Sequence, residues 1–426
     1  MSLPIKNNKI SLPSKTRIEN TFNLFLSGIK ILRKEGIRIF YIKLKEYGRQ
    51  SHIFTLNLLS TKNELKTFLF ISGCPGDSMR YRCEHQSEQL KVLGINSDIK
   101  TFNEVELNNV ISTYKVFILH RVPCDKSVEE FISRVKAEGK CIIFDTDDLV
   151  FNPDLDPIYI NSLTDMGETE KDKYYNELRK YRQTLLLSDY VIVSTDYLKK
   201  EAELVHPKVF VNRNSASNLM IEMAEKAKSK KTHHPQKNVI VGYMSGTPTH
   251  NKDFLECESA VISLLSENPN MFLKIIGYLD LSEDLKKHEN QIIRVPFVPW
   301  QDLPYQIQTF DINLAPLELN NPFTESKSEL KFIESGLLAV PTIASDVGGF
   351  TSAIKDGENG FLANTSEEWY SKLKALVTNP DLRTKIGNNA QDTILNDYTS
   401  LARKRNLEAI LNNVEREKPI EILRNE

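Results

Sequence analysis

The chain has 426 residues, of which 40% are hydrophobic and 26% are charged, and its formal net charge is −2. This length exceeds a single hydrophobic core, so we expect a globular protein of two ordinary domains. No apolar run approaches the roughly 18 residues of a membrane-spanning helix. The five cysteines are scattered and never form a C-x2-C pair, which disfavours a disulfide framework or zinc site and predicts a reducing cytoplasm.

Residues 1–62 are predicted to form a separate, basic amphipathic helical extension. Residues 1–50 hold 11 Lys and Arg against 3 Asp and Glu, whereas the remainder holds 44 against 54. The acidic balance of the remainder argues against nucleic-acid binding. Two interpretations of residues 15–50 stay open: a peripheral contact with the inner face of the cytoplasmic membrane, or a helix that packs on protein. Lys and Asn interrupt the early apolar stretches, so no signal peptide is expected.

Residues 63–214 alternate between short apolar runs and helical segments. The predicted strands are 67–71, 116–119, 141–144, 190–193 and 209–211, and the predicted helices include 80–93 and 127–137. This alternation predicts a doubly wound parallel sheet that binds ligands at the carboxyl ends of its strands. Residues 215–237, rich in lysine, are predicted to be a linker. Its pair His233 and His234 has no suitably spaced third ligand, so no metal site is expected.

The same alternation resumes over residues 238–395. The predicted strands are 239–242, 272–276, 292–295, 312–314 and 342–344. We therefore expect a second Rossmann-like sheet and, over residues 396–426, a helical C-terminal tail.

The segment 321–360 carries the densest pattern of functional residues. It predicts a polar loop, a helix, a short buried strand, a glycine turn at Gly348 and Gly349, and a second short helix. Ser328, Lys331 and Glu334 are three residues apart, so on a helix they share one face. Cations for phosphate, a carboxylate for ribose hydroxyls and glycines for a close backbone approach suit a nucleoside diphosphate.

This segment resembles the donor site of the retaining GT-B glycosyltransferases, the "glycosyl transferases group 1" family. The resemblance rests on the spacing of Glu334, Pro341, Ser345, Val347-Gly348-Gly349, Ile354, Asp356-Gly357 and Asn359-Gly360. It implies an α/β fold of two Rossmann-like domains facing across a cleft, a sugar-nucleotide donor, and no metal or cofactor.

The resemblance also assigns roles within the donor helix. Relatives carry a Glu-x7-Glu motif whose second Glu holds the ribose, and Glu334 matches that residue. The first Glu falls on Ser326, and Glu325 stands one place early. The sequence KSELKFIE resembles that of a bacterial surface-polysaccharide branch of the family, which includes rhamnosyltransferases. This resemblance implies dTDP-rhamnose as a candidate donor.

The loop that follows the first strand of each domain is a further candidate for donor binding. In the loop 72–82, Gly73 and Gly76 allow a close approach, and Arg80 or Arg82 is expected to meet the diphosphate. In the segment 242–254, Gly246 forms a turn and Lys252 matches the lysine that relatives place on the diphosphate. Tyr243 stands where relatives have an arginine, and Lys327 or Lys331 is expected to supply that charge. His250 either binds phosphate or has a capping or packing role.

Three carboxylates, Asp145, Asp147 and Asp148, follow a buried strand of the first domain. Crowded acids at a strand's carboxyl end indicate a site. Relatives have a histidine near the donor sugar at the place of Asp145, so Asp145 is predicted to position the acceptor hydroxyl or stabilise an oxocarbenium-like centre, with Asp148 as a second candidate. Alternatively, Asp147 and Asp148 only cap the next turn. An Asp-x-Asp metal motif of the GT-A type is disfavoured because two Rossmann-like domains are predicted.

His120 ends the preceding strand on the same rim. It is predicted either to contact sugar hydroxyls or to be a buried structural histidine.

The expected activity is transfer of a sugar, with retention, from a nucleoside-diphosphate sugar to a hydroxyl of a lipid-linked or growing cell-surface polysaccharide. Two alternatives stay open. One is a nucleotide-sugar epimerase on the same scaffold, which would need no acceptor. The other is an inactive scaffold that binds glycan or a membrane complex, because the first Glu and the usual arginine are missing.

Overall fold

The computed structural model describes residues 67–160, 163, 166–230, 238–247, 250–418, 420, 422 and 424. The predicted basic extension, with its membrane or protein contact, lies outside these residues, and so does the histidine pair of the predicted linker.

Within the described residues, the first sheet has six parallel strands in the order β2-β1-β3-β4-β5-β6. The strands are β1 (Phe68–Ser72), β2 (Ser97–Thr101), β3 (Val116–His120), β4 (Cys141–Thr146), β5 (Tyr190–Val193) and β6 (Val209–Val211). Five of them match the sequence prediction. β2 was missed because its sequence, SDIKT, is polar and every residue of it is only half-buried at the sheet edge.

Helices flank this sheet: α1 (Asp77–Met79), α2 (His85–Val92), α3 (Leu107–Val110), α4 (Lys126–Ala137), α5 (Glu168–Leu187) and α6 (Asp196–Glu203). A π-helical turn, Arg80–Glu84, joins α1 to α2, so the predicted helix over residues 80–93 begins earlier and is locally widened. π-Turns inside helices are frequent at functional sites. This one buries Arg80, Tyr81 and Arg82.

The second sheet also has six described parallel strands, in the order β12-β11-β10-β7-β8-β9. The strands are β7 (Val239–Ser245), β8 (Met271–Gly277), β9 (Ile292–Val295), β10 (Ile312–Ala315), β11 (Thr342–Ser345) and β12 (Phe361–Ala363). The helices are α7 (Asn218–Ser229), α8 (Asn251–Glu267), α9 (Glu283–Lys286), α10 (Leu303–Ile307), α11 (Pro322–Glu325), α12 (Leu330–Gly336), α13 (Gly348–Ala353), α14 (Ser366–Thr378), α15 (Pro380–Asp397) and α16 (Ser400–Glu417). The two parallel sheets with flanking helices give the predicted α/β architecture.

The last helix, α16, returns to the first domain. Its buried apolar residues join the core formed by β1, β3 and β5, and they are Leu407, Ile410, Leu411 and Val414. Burying a side chain of this size contributes about 1.5–3 kcal/mol. The chain therefore crosses between the sheets twice, and the crossings touch where the Ala216 amide donates to the Tyr398 carbonyl at 2.7 Å.

None of the helices in the described part of the chain is long and apolar enough to cross a membrane.

Candidate functional site

A cavity of about 150 Å³ lies between the two halves of the chain. The second domain lines it with residues from the carboxyl ends of β7 and β8 and from α12, and the first domain lines it with the start of its π-turn. The lining includes Asp77, Arg80, Ser245, Gly246, Trp300, Lys331 and Glu334. Parallel sheets bind ligands at this edge, which is where the sequence placed Gly246, Lys331 and Glu334.

Lys331 brings an unpaired buried charge to the cavity. Its Nζ is inaccessible to solvent and has no hydrogen-bond partner among the described residues. It lies 5.0 Å from the ring centroid of Tyr243, which is fully buried and which the family resemblance places at an arginine position. Burial lowers the pKa of Lys331. An ammonium group in this environment is stabilised by an anion.

Glu334 faces the same cavity one helical turn further along α12. Its Oε1 accepts a hydrogen bond of 2.8 Å from the Tyr81 hydroxyl, which comes from the first domain. Burial raises the pKa of Glu334. The carboxylate that was predicted to accept hydrogen bonds from ribose hydroxyls therefore accepts one from the Tyr81 hydroxyl in this structure.

Arg80 reaches the cavity from the first domain. Its guanidinium lies 4.3 Å from the ring centroid of Trp300 and 4.2 Å from that of Tyr81. Its Nη2 is 2.9 Å from Asp77 Oδ1. Of the two arginines predicted for the diphosphate, Arg80 is the one that the structure places at the cavity.

Arg82 is instead part of a buried ion pair with Asp145. The two side chains are fully buried, and Arg82 donates from Nε to Oδ1 at 2.9 Å and from Nη2 to Oδ2 at 2.8 Å. Arg82 also donates to the Asn214 side chain at 3.0 Å, and Gln86 donates to Asp145 at 2.8 Å. Neither charged group reaches the cavity, so the predicted diphosphate role of Arg82 and acceptor role of Asp145 do not fit their positions.

His120 is likewise buried and takes the structural alternative. Its Nδ1 lies 2.9 Å from Ser72 Oγ and its Nε2 lies 3.0 Å from Ser78 Oγ. Asp147 accepts from Ser78 at 2.7 Å and pairs with Arg121 at 2.6 Å. Burial opposes ionisation of Asp147, but Arg121 and His120 hold its pKa well below the usual value.

The Asp-x-Asp residues, Asp145 and Asp147, therefore use different arginines and do not converge on one point. Among the residues that the structure describes, no group of three His, Cys, Asp or Glu side chains is arranged to hold a metal ion.

Asp148 and Lys327 meet across the cleft between the domains. Lys327 Nζ lies 3.0 Å from Asp148 Oδ1, and Ser326 Oγ lies 3.5 Å from the same oxygen. Ser326, which stands where relatives have the first Glu, is fully buried against the first domain. Lys327 is thus engaged with a carboxylate.

Three glycines that were predicted to bind the donor pack closely against other parts of the chain and do not line the cavity. A Cβ atom on Gly73 would lie 2.1 Å from the Arg121 carbonyl oxygen, and one on Gly349 would lie 2.4 Å from Glu329 Oε2. Gly348 has a φ of 59° and donates its amide to Glu325 Oε2 at 3.1 Å. The atoms nearest to these glycines belong to the Arg121 backbone and to the segment before α12, and the predicted role of the glycines in donor binding stays a prediction.

Two other predicted residues lie near the site but outside the cavity lining. Ser328 precedes α12 rather than sharing its face with Lys331, and its Oγ accepts from Asn214 at 2.9 Å. Lys252 lies half-buried in the first turn of α8.

Sequence reasoning missed Trp300 and Tyr81. Trp300 follows β9, so an aromatic residue just beyond that strand's carboxyl end was the available signal. No sequence signal indicated Tyr81, because its contact with Glu334 depends on the π-turn.

Comparisons with known proteins give the family context of this site. Residues 211–393 match the family model described as "Glycosyl transferases group 1". A curated relative, the glycosyltransferase 1 domain-containing protein 1 of Xenopus tropicalis, is 27% identical over 134 residues, which are 31% of this chain and 39% of that protein. The chain thus spans about two fifths of the length of this relative.

Solved structures share the architecture of the whole described chain. A glycosyltransferase from Rickettsia africae ESF-5 matches with a TM-score of 0.56 at 14% identity, covering 83% of this chain and 99% of its own. The Anabaena protein HepE, solved in complex with UDP and glucose, matches with a TM-score of 0.54 at 14% identity, covering 82% and 99%. The fold is that of the two-domain GT-B proteins.

Proposed function

We propose that this chain is a GT-B glycosyltransferase that uses a nucleoside-diphosphate sugar as donor. Its second domain matches the group 1 glycosyltransferases over residues 211–393, and its two-sheet fold is theirs. The proposal places the donor in the cavity between the domains.

The observation that carries this proposal is the buried ammonium group of Lys331, which has no hydrogen-bond partner among the described residues and lies beside Glu334 in that cavity. A lone buried cation destabilises the protein unless it binds an anion. Arg80 adds a second cation, and Trp300 adds an aromatic face for a base. Lys331 and Arg80 then bind the diphosphate, and Glu334 accepts hydrogen bonds from the ribose.

We propose further that transfer retains the anomeric configuration and that the acceptor is a hydroxyl of a lipid-linked or growing cell-surface polysaccharide. The likeness of KSELKFIE to the rhamnosyltransferase-like branch supports dTDP-rhamnose as a donor, and the UDP complex of the Anabaena neighbour supports testing UDP-sugars beside it. Asp148, which pairs with Lys327 of the second domain, is the carboxylate that we assign to the acceptor side.

The test is calorimetric titration of the full chain with UDP, GDP and dTDP, comparing the wild type with Glu334→Ala. We expect one nucleotide to bind saturably and Glu334→Ala to weaken it about tenfold, as loss of hydrogen bonds to a charged group implies. The matched control is Glu318→Ala, a glutamate outside the cavity lining. Labelled sugars on the nucleotide that binds then test transfer and its stereochemistry.

Failure of a folded wild-type chain to bind any of the three nucleotides would overturn the donor-site assignment and favour a scaffold without donor chemistry. Release of an altered nucleotide sugar without any acceptor would instead identify an epimerase.

A further inference from the structure

His250 and Asp253 form a dyad at the start of α8. His250 Nδ1 lies 2.8 Å from Asp253 Oδ2, and Asp253 Oδ1 accepts from the Glu318 amide at 3.0 Å. Asp253 is only 2% exposed, and the Tyr243 hydroxyl donates to the His250 carbonyl at 3.1 Å. The carboxylate and the backbone of the histidine are therefore both held, which fixes the orientation of the imidazole ring.

Charged groups of three elements influence this ring. Asp253, on the same helix, contacts it at 2.8 Å, and Lys331 of α12 and Lys327 of the turn that precedes α12 act on it electrostatically. Burial lowers the pKa of His250, Asp253 opposes this effect, and the two lysines reinforce it. Lys327 is already paired with Asp148, whereas the Lys331 ammonium group has no hydrogen-bond partner among the described residues and is complementary to an anion.

The hydrogen bond to Asp253 decides what the other ring nitrogen can do. An ionised carboxylate only accepts, so Nδ1 must carry a proton, and in the neutral ring Nε2 is then an acceptor. An acceptor cannot bind a phosphate oxygen. Protonation turns Nε2 into a donor, and both Asp253 and a bound phosphate favour the protonated ring.

We infer that His250 is a phosphate-binding residue of the donor site that takes up a proton when the diphosphate binds, with Asp253 as its positioning residue. The inference rests on the proposed function, since it places the donor diphosphate between His250 and Lys331. It predicts that donor affinity falls as the pH rises, because at higher pH the proton must be supplied against a larger free-energy cost.

The experiment titrates the full chain with UDP-glucose, GDP-mannose and dTDP-rhamnose in buffers of different ionisation enthalpy at pH 7.5. Sugar nucleotides are the suitable probes because free nucleoside diphosphates carry a terminal phosphate that itself titrates near pH 6. For the sugar nucleotide that binds, we expect the wild type to take up close to one proton per site. His250→Gln should take up none and bind about tenfold more weakly at pH 6.5, the effect of losing a charged hydrogen bond.

Two further variants separate this role from a structural one. Asp253→Asn keeps an acceptor for the Glu318 amide but removes the charge that favours the imidazolium, so its proton uptake should shift to lower pH. His288→Gln is the matched control, because His288 contacts Ser266 near the far end of α8, about 24 Å from His250 along the helix. It should take up the same proton as the wild type.

Equal proton uptake by the wild type and His250→Gln would overturn the inference and leave the donor site intact. If no sugar nucleotide binds to the wild type, both the inference and the proposed function are overturned, so the two failures are distinguishable.

Discussion

Lys327 donates to both carboxylate oxygens of Asp148, at 3.0 and 3.1 Å, and so joins the second domain to the first. The side chains are 27% and 16% exposed, which makes this a partly buried ion pair. Arg121 lies 3.4 Å from Asp148 Oδ2 and adds a second cation from the first domain. Because the pair joins the two domains, it stabilises the contact between them.

The first prediction measures the strength of this contact. In a double-mutant cycle of Asp148→Asn and Lys327→Met, we expect a coupling free energy of unfolding of about 1 kcal/mol, the upper range for pairs that are not fully buried. Urea denaturation of the four proteins gives the value. The control cycle uses Lys372 and Asp356, a more exposed pair within the second domain, whose coupling should be smaller. A coupling of zero between Asp148 and Lys327 would show that the ion pair does not stabilise the folded chain.

The second prediction concerns Arg82. Arg82→Met should lower the free energy of unfolding by about 3–5 kcal/mol, because it leaves the Asp145 carboxylate buried without its partner. Arg82→Met combined with Asp145→Leu should recover part of that loss, since the stranded charge is then absent. Chemical denaturation measures both. A stable Arg82→Met protein that has lost nucleotide binding would instead restore the diphosphate role predicted from the sequence.

The sequence predicted ten of the twelve described strands, because most of them are apolar runs between helices. β2 and β12 were missed; both are edge strands, and β2 is polar while β12 has only three residues. The sequence also placed Lys331, Glu334 and Gly246 at the cavity, because each lies on an element that parallel sheets direct to that edge.

The sequence could not decide among the three aspartates at the end of β4, Asp145, Asp147 and Asp148. Neighbouring side chains point to opposite faces of a strand, and β4 extends through Thr146, so Asp145 still belongs to the sheet. Its partner Arg82 is 63 residues away in the chain, and the π-turn that aims it has no sequence signal. Asp148, two residues beyond the strand, is free to turn into the cleft.

The third prediction concerns the hydroxyl that Glu334 holds in this structure. Tyr81→Phe removes the bond, so the free energy of unfolding should fall by about 1 kcal/mol. The nucleotide should bind about fivefold more tightly, because ribose hydroxyls no longer compete with Tyr81. Thermal unfolding and calorimetry measure the two effects. Tyr114→Phe, which loses a bond to Asp98 within the first domain, should lower stability without changing affinity. Weaker nucleotide binding by Tyr81→Phe would mean that Tyr81 itself contacts the ligand.

The fourth prediction compares two lysines of the second domain, Lys331 and Lys274. Lys331→Met should raise the free energy of unfolding by about 1–2 kcal/mol, because it removes a buried charge that has no partner among the described residues, and it should weaken nucleotide binding. Lys274→Met is the matched control. Lys274 Nζ donates to Gln306 at 3.0 Å and to Thr309 at 2.9 Å, so its loss should destabilise the chain and leave nucleotide binding unchanged.

The stabilisation by Lys331→Met should also depend on pH in a defined direction. Burial lowers the pKa of Lys331 below its usual value of 10.5, so the folded state binds this proton more weakly than the unfolded state does. The wild type is therefore penalised fully below the folded-state pKa, and the penalty disappears as the pH rises toward 10.5. Urea denaturation at several pH values should show the difference between the wild type and Lys331→Met narrowing as the pH rises. If this difference in the free energy of unfolding widens, the folded chain itself stabilises Lys331 as a cation. Its ammonium group would then need no anionic ligand.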